Sequence, residues 1–493
     1  MQLSFCDLSF CRLGLYPVVS FRDYPLKRIY AEALESLLRG ILICMEKLPP
    51  TILVIFGITG DLSRRYLLPA LAEICRSDQL SKDFQILGVS RRDVNMDEIF
   101  SGEQKVLQPY SQIFKMDLAD GAHYQKLKHQ IGELKQKFDQ PPQVIFYLSV
   151  PPVAARQIIE LLGHAGLNQL HMKLLLEKPF GNDLKSAEEL VAETAKYFPE
   201  EQVYRIDHYL AKEMAQNITV FLGSNSIFRD VWSAQFIEDI EIVAAEKIGI
   251  EGRASFYEST GALRDIVQSH LLQLAALTLM EPCSDIFDFD EIPKRRLAAL
   301  KMVEPVPKDK CQERAVRAQY EGYAKEVNNP GTQVETFAAI TLYSTDPRWQ
   351  AVPIRLITGK NLDQKLTEIR VSFKKTSAKA SNQLVFRIQP KEGIEIDLLV
   401  KEPGYERKLQ NRQLSFEYDL ESGRLPDAYE QVLVDAMRGN HSLFASSDEV
   451  LASWQILQPV LDCWSMDSSD LKTYKPSSTI EEAMGGPTLD KSR

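Results

Sequence analysis

The first regular pattern along the chain is a short apolar, β-branched run, Ile52-Leu53-Val54-Ile55-Phe56, which ends in Gly57 and gives way to a helical pattern near Leu62. Phe84 to Val89 reads as a second buried strand, Val144 to Val150 as another, stopped by Pro151-Pro152, and Lys173 to Leu176 as one running into Glu177-Lys178-Pro179-Phe180-Gly181. Strands buried on both faces need such continuous apolar runs, and the helical stretches between them predict a parallel sheet. Beyond Tyr204 to His208 the pattern changes. Asp239 to Ala245, Thr336 to Leu342, Glu368 to Phe373, Leu384 to Gln389 and Glu395 to Val400 alternate, which predicts antiparallel strands with one exposed face. Helices over Gly261 to Met280 and Asp427 to Met437 interrupt them, and the polar, Ser-rich tail from Ser465 predicts loose packing.

The first fifty residues do not share this grammar. Tyr24 to Leu48 predicts one amphipathic helix, preceded by a hydrophobic and aromatic patchwork without alternation. Two readings fit: an arm peculiar to this chain, or sequence upstream of a true start at Met45, just before the first convincing strand. No basic stretch of a secretory leader opens the chain, since Asp7 precedes the first cation, Arg12.

Length and composition narrow the function. At about 100–200 residues per domain, 493 residues predict two or three domains. Hydrophobic residues at 44% and charged ones at 26% are the balance of a globular protein, and no apolar run predicts a membrane span. Acidic residues outnumber basic ones by 68 to 58, which argues against a nucleic-acid partner, whose phosphates need a basic face. The seven cysteines (6, 11, 44, 75, 283, 311 and 463) form no C-x-x-C pair, so neither a metal site nor a disulfide framework is expected, and reduced thiols in the cytoplasm are.

Four segments carry chemistry. The turn Gly57-Ile58-Thr59-Gly60-Asp61-Leu62 joins a strand to a helix, the arrangement that brings backbone N–H groups and a helix N-terminus against a pyrophosphate. The second strand ends in Ser90-Arg91-Arg92, where a fold preferring NAD places an acid; two guanidiniums there suit a 2′-phosphate and favour NADP. In Arg205-Ile206-Asp207-His208-Tyr209-Leu210-Ala211-Lys212-Glu213, a helix starting near Asp207 would stack His208 and Lys212 on one face, with Tyr209 as a third donor for a phosphate. His270 falls on an apolar stripe with Leu263, Val267 and Leu274; it is either a satisfied core histidine or a general base oriented by a carboxylate, with Asp265, Glu246 and Asp207 as candidates. Lys178 sits at a parallel strand end, where ligands bind, and Lys360 and Lys365 share a loop before a strand.

Together these segments resemble the glucose-6-phosphate dehydrogenase family. Gly57-x-x-Gly60-Asp61-Leu62, Glu177-Lys178-Pro179-Phe180-Gly181, Arg205 to Glu213 and Arg264-Asp265-x-x-Gln268-x-His270 occur in that family's order, and Thr336-Phe337-Ala338-Ala339, Arg348-Trp349, Asp427-Ala428-Tyr429-Glu430 and Trp454 extend the likeness from about Ile52 to Trp464. The resemblance implies an α/β plus α+β protein: an extension over 1–50, a Rossmann-like NADP-binding domain over 51–206, and a larger, mainly antiparallel domain over 207–493 for substrate and dimerisation. It implies an NADP-dependent dehydrogenase that oxidises glucose 6-phosphate at C1 to the 6-phosphoglucono-δ-lactone, the first step of the pentose phosphate pathway, as a homodimer or homotetramer. By matching positions, His270 is the base and Asp207 holds it. His208, Tyr209, Lys212 and Lys365 take the phosphate, and Lys178, Glu246, Asp265 and Lys360 the sugar hydroxyls. Gly57, Thr59, Gly60, Asp61, Leu62, Arg91 and Lys178 face the cofactor, and no metal is implied.

Some positions depart from the family pattern. A lysine expected after the glycine turn is Tyr66, the usual Arg-Thr-Gly-Lys reads Ile357-Thr358-Gly359-Lys360, and Asn-Arg after Trp232 is Ser233-Ala234. Leu366 stands where some members use a lysine for a second, structural NADP, so that site is expected to be absent. Two alternatives remain: a related sugar oxidoreductase, against which the phosphate cluster argues, and a silent paralogue that binds sugar phosphate or NADP as a sensor or partner subunit.

Overall fold

The computed structural model describes residues 47–283, 285, 288–375, 381–418, 424–467 and 469–486. The expected extension, with its helix and three cysteines, lies outside the described residues apart from 47–50, which are irregular.

The chain first lays down six strands: β1 (Thr51–Phe56), β2 (Phe84–Ser90), β3 (Ser111–Lys115), β4 (Gln143–Leu148), β5 (Met172–Leu176) and β6 (Val203–Ile206). They pair in parallel in the order β6-β5-β4-β1-β2-β3. Every residue of β1 is buried, as its apolar run requires in a sheet covered on both faces. The strand order reverses between β1 and β4, so a crevice opens beyond their carboxyl ends, where Gly57 faces Ser149.

Nine further strands follow: β7 (Ile237–Ala245), β8 (Val303–Glu304), β9 (Ala315–Tyr320), β10 (Phe337–Ser344), β11 (Ile354–Gly359), β12 (Leu366–Phe373), β13 (Gln383–Gln389), β14 (Gly393–Lys401) and β15 (Leu409–Glu417). They form a large sheet ordered β15-β14-β13-β12-β7-β11-β10-β9, with β8 paired to β10. Most of its pairs are antiparallel, but β7 runs parallel to β11, because the helices between them carry the chain back across one face. The chain then returns to the first sheet. The helix Ala428–Arg438, started by an Asp427–Glu430 capping box, packs into that sheet's core, and β16 (Phe444–Ala445) pairs antiparallel with β6.

Three sequence expectations need correction. The segment 208–212 is a turn and the helix opens at Glu213, since the Asp207 carboxylate turns the chain by accepting the Tyr209 N–H at 2.9 Å. The tail is not loose: β17 (Lys472–Tyr474) lies parallel to β9, and Tyr474, Ile480 and Ala483 are buried, apolar anchors outnumbered by polar neighbours in sequence. The thiols are not all free either. A disulfide joins Cys311 to Cys463, brought together by the fold across 152 residues, while Cys75 and Cys283 are free. Among the described residues, no helix is long and apolar enough to cross a membrane and no group of three His, Cys, Asp or Glu is placed to hold a metal.

Candidate active site

The helical region predicted over Gly261 to Met280 is broken in a useful way. Gly261 adopts φ +67°, the preceding helix (Ala254–Ala262) ends there, and residues Leu263–Leu271 form a π-helical stretch before Leu272–Leu279 resumes α geometry. Leu263, Val267 and Leu274 enter the core as the stripe predicts, and His270 is fully buried among them.

His270 is not a core histidine satisfied by backbone. Its Nδ1 lies 2.6 Å from Asp207 Oδ1 and its Nε2 2.9 Å from the Lys178 ammonium. Because Lys178 only donates, Nε2 carries the lone pair and Nδ1 the proton that Asp207 accepts. Burial holds the His270 pKa below its ordinary 6.5, with the Lys178 charge lowering it further and Asp207 opposing. Burial would raise the Asp207 pKa, but His270, by its charge when protonated and by its Nδ1–H hydrogen bond, and the Tyr209 N–H outweigh it and hold the carboxyl ionised. The result is a neutral imidazole with a buried carboxylate behind it, a base ready to accept a proton at Nε2.

Polar groups converge on this pair from both sheets. Lys178 follows β5 and also donates to Asp265 O and Oδ1 at 2.8 and 2.9 Å. Burial raises the Asp265 pKa, but the Lys178 charge and hydrogen bond win and bring it to about 2. Tyr209 stacks on the His270 ring with centroids 4.1 Å apart and neighbours Thr367 of β12, while His208 meets His270 edge-on at 4.5 Å. His208 is held well below the usual histidine pKa by burial, then by His270 whenever that ring is protonated and by the standing charge of Lys178, with Lys212 adding to them. A dianion placed against His208, Tyr209 and Lys212 would relieve that repulsion. Glu246 and Lys360 are ion-paired beyond the ends of β7 and β11, with the Lys360 ammonium 5.4 Å from the Tyr257 ring centre. Lys365 stands apart, exposed in the loop before β12 and without an ion pair among the described residues.

The cofactor candidates gather at the crevice between β1 and β4. A Cβ on Gly57, whose φ is +82°, would lie 2.2 Å from Ser149 O, and one on Gly60 3.0 Å from Gly57 O, so both glycines permit a turn tight enough to present the helix opening at Asp61. Thr59, Asp61 and Leu62 lie on this turn, Arg91 and Arg92 are exposed just past β2, and the first-turn N–H groups are free to meet an anion. These features fit a phosphorylated dinucleotide. Tyr66 stacks on Tyr429 with centroids 5.4 Å apart, so this tyrosine fills its place by aromatic packing.

Comparison with known proteins gives the same answer along the whole described chain. Residues 54–217 match the family model "Glucose-6-phosphate dehydrogenase, NAD binding domain", and residues 219–485 match "Glucose-6-phosphate dehydrogenase, C-terminal domain". The chain belongs to the glucose-6-phosphate dehydrogenase family. The glucose-6-phosphate 1-dehydrogenase of Chlamydia muridarum is 35% identical over 465 residues, covering 85% of this chain and 91% of that protein. That of Bacillus subtilis is 33% identical over 464 residues, covering 87% and 95%. A solved glucose-6-phosphate dehydrogenase in complex with its substrate glucose 6-phosphate superposes with a TM-score of 0.82 at 29% identity, covering 91% of this chain and all of that one. The Mycobacterium avium glucose-6-phosphate 1-dehydrogenase structure gives 0.76 at the same identity, covering 91% and 99%.

Sequence reasoning missed several groups of this family member's site. Thr367 stands beside Tyr209 from the large sheet, and Tyr257, on the helix Ala254–Ala262, faces the Lys360 ammonium. Glu177, raised to about 7 by burial, is hydrogen-bonded by Tyr147 one strand away. Glu335 holds the start of the π-helical stretch. Only Gly261, a glycine inside a helical pattern, signalled that something unusual abuts the chain there.

Proposed function

We propose that this protein is an NADP-dependent glucose-6-phosphate dehydrogenase that oxidises C1 of glucose 6-phosphate to 6-phosphoglucono-δ-lactone. One observation carries the reading: His270 presents an unprotonated Nε2 with the Asp207 carboxylate 2.6 Å behind Nδ1, beside the His208–Tyr209 pair. A base so placed takes the C1 hydroxyl proton at Nε2, in the position that Lys178 occupies here. The imidazolium that forms is stabilised by Asp207, and C1 becomes a carbonyl carbon as its hydride departs. NADP, when bound, supplies the nicotinamide that accepts this hydride.

The remaining roles follow from charge and position. Lys178, Asp265, Glu246 and Lys360 orient the sugar hydroxyls, two cations and two carboxylates able to donate and accept around a ring of alcohols. His208, Tyr209 and Lys212 hold the phosphate, with Lys365 joining them from the loop before β12. Gly57, Thr59, Gly60, Asp61, Leu62 and Arg91 hold the pyrophosphate and 2′-phosphate, so that residues 51–206 serve the cofactor and 207–493 the substrate. A charged sugar phosphate and a charged dinucleotide do not cross membranes, which supports a cytoplasmic enzyme. The exposed apolar row at the β14–β15 edge supports a homodimer or homotetramer formed through the large sheet.

The test is the NADPH absorbance band in purified protein given glucose 6-phosphate and NADP, with glucose and NAD as comparisons. Reduction that depends on the phosphate is expected. Binding of both ligands without reduction would overturn the reading.

A further inference from the structure

We propose that Glu335 is a positioning residue for the base, pinning the first turn of the 263–271 helix and thereby fixing where His270 and Asp265 stand. This deepens the functional reading and rests on His270 as the base. Glu335 lies in the irregular segment before β10 and is only 4% exposed. It makes no ion pair among the described residues; its partners are instead the chain at the helix start. Its Oε1 accepts the Leu263 N–H at 2.9 Å, and its main-chain oxygen accepts the Ala262 N–H at 3.0 Å.

The contact is too close to be incidental packing. A Cβ on Gly261 would come within 2.4 Å of Glu335 Oε1, so the kink at Gly261 and the carboxylate occupy complementary space. An apolar side chain would fill that volume without desolvating a charge, and burial does raise the Glu335 pKa, which the Leu263 N–H counters. What a carboxylate adds is a fixed acceptor for a helix N–H that has no intrahelical partner. Two residues further along, Asp265 holds Lys178 through its main-chain oxygen and Oδ1, and His270 lies at the far end of the same π-helical stretch.

The neighbouring residue extends the effect. Thr336 O accepts the Lys360 N–H at 2.9 Å, and Tyr474 donates to Lys360 O at 2.6 Å. The Glu335-Thr336 dipeptide therefore couples two walls of the substrate site, the His270 helix and the Lys360 loop. A small slip of this joint changes the His270–Lys178 and His270–Asp207 spacings without removing any group that touches substrate.

Two conservative variants separate anchoring from charge and from packing. Glu335→Gln keeps an oxygen for the Leu263 N–H, and Glu335→Asp keeps the charge but shortens the reach by one methylene. Glu335→Gln is expected to stay within a few-fold of wild-type kcat. Glu335→Asp is expected to lose about 100-fold, the scale of a small misplacement, with the KM for NADP unchanged. The His270 pKa, read from its ring proton by NMR, is expected to rise in Glu335→Asp as Lys178 draws away, and to hold in Glu335→Gln. This second readout needs no turnover, so an inactive wild-type enzyme would refute the functional reading while leaving the positioning claim open to refutation on its own. An unmoved His270 pKa in Glu335→Asp, or equal losses in both variants, would overturn the proposal.

Discussion

Nδ1 of His270 lies 2.6 Å from Oδ1 of Asp207, and that same oxygen accepts the Tyr209 N–H at 2.9 Å. One carboxylate oxygen thus fixes the imidazole and the turn that carries His208 and Tyr209. Asp207→Asn is a clean probe because an amide oxygen can keep both bonds while the charge is lost. Without that charge the imidazolium has no counterion, and kcat is expected to fall about 100- to 10,000-fold. The KM for glucose 6-phosphate should change little, since the turn persists. Steady-state kinetics of the variant checks this; a kcat near wild type would mean that Asp207 only shapes the turn.

The pH dependence should bear the mark of Lys178. His270 works as a base only when neutral, and its pKa lies below 6.5 because burial and then the Lys178 charge disfavour the imidazolium, against the pull of Asp207. Activity is therefore present above the lowered pKa and is lost as pH falls through it. Lys178→Ala removes one lowering influence, so the acid limb of kcat/KM should move to higher pH. The substrate phosphate titrates near about pH 6 in both enzymes, so the difference between their profiles is the readout. An acid limb that stays in place would separate Lys178 from the base.

Phosphate recognition should be separable from chemistry. Lys212 stands just before the helix Glu213–Ser224 and adds to the positive potential that depresses His208. Lys212→Ala is expected to raise the KM for glucose 6-phosphate about 10- to 100-fold, the worth of one charge-assisted hydrogen bond, and to leave the KM for NADP alone. With glucose, which has no phosphate, variant and wild type should behave alike. Equal damage with both sugars would place Lys212 in a structural role.

Much of this arrangement was legible along the chain, for reasons that also explain what was not. The apolar runs of β1, β2, β4 and β5 announce strands buried on both faces, and glycine at 57 and 60 announces a backbone that must approach something closely. Those signals are local. The pairing of His270 with Asp207 spans 63 residues and that of Lys178 with His270 spans 92, so the residues alone left three carboxylates open as the orienting group. The Asp207 segment read as a helix because the spacing of His208 and Lys212 suits one, whereas the buried carboxylate imposes a turn. Strand β15 escaped notice because exposed residues on both its faces erase the alternation, and the buried anchor Tyr474 is hidden in a polar tail.

The exposure of β15 leads to the last prediction. On the face of β13 and β14 that meets the helix Glu213–Ser224, Phe221 packs on Phe386 at 5.3 Å, and the apolar row continues through Ile394 and Ile396. It does not stop where the helix cover stops. Leu398 and Val400 follow on β14, and Leu414 and Phe416, paired opposite Ile396 and Ile394, stand 60% and 50% exposed on β15. An uncovered apolar patch beside an unpaired strand edge is a surface that natural sheets rarely leave to solvent, so a second copy of the chain is its expected cover. Phe416→Glu places a charge in the middle of the patch, and burying an unpaired carboxylate would cost more than the contact returns. The wild type should therefore sediment as a dimer or tetramer and Phe416→Glu as a smaller species, by analytical ultracentrifugation. A variant that sediments with the wild type would move the interface to another face of the large sheet.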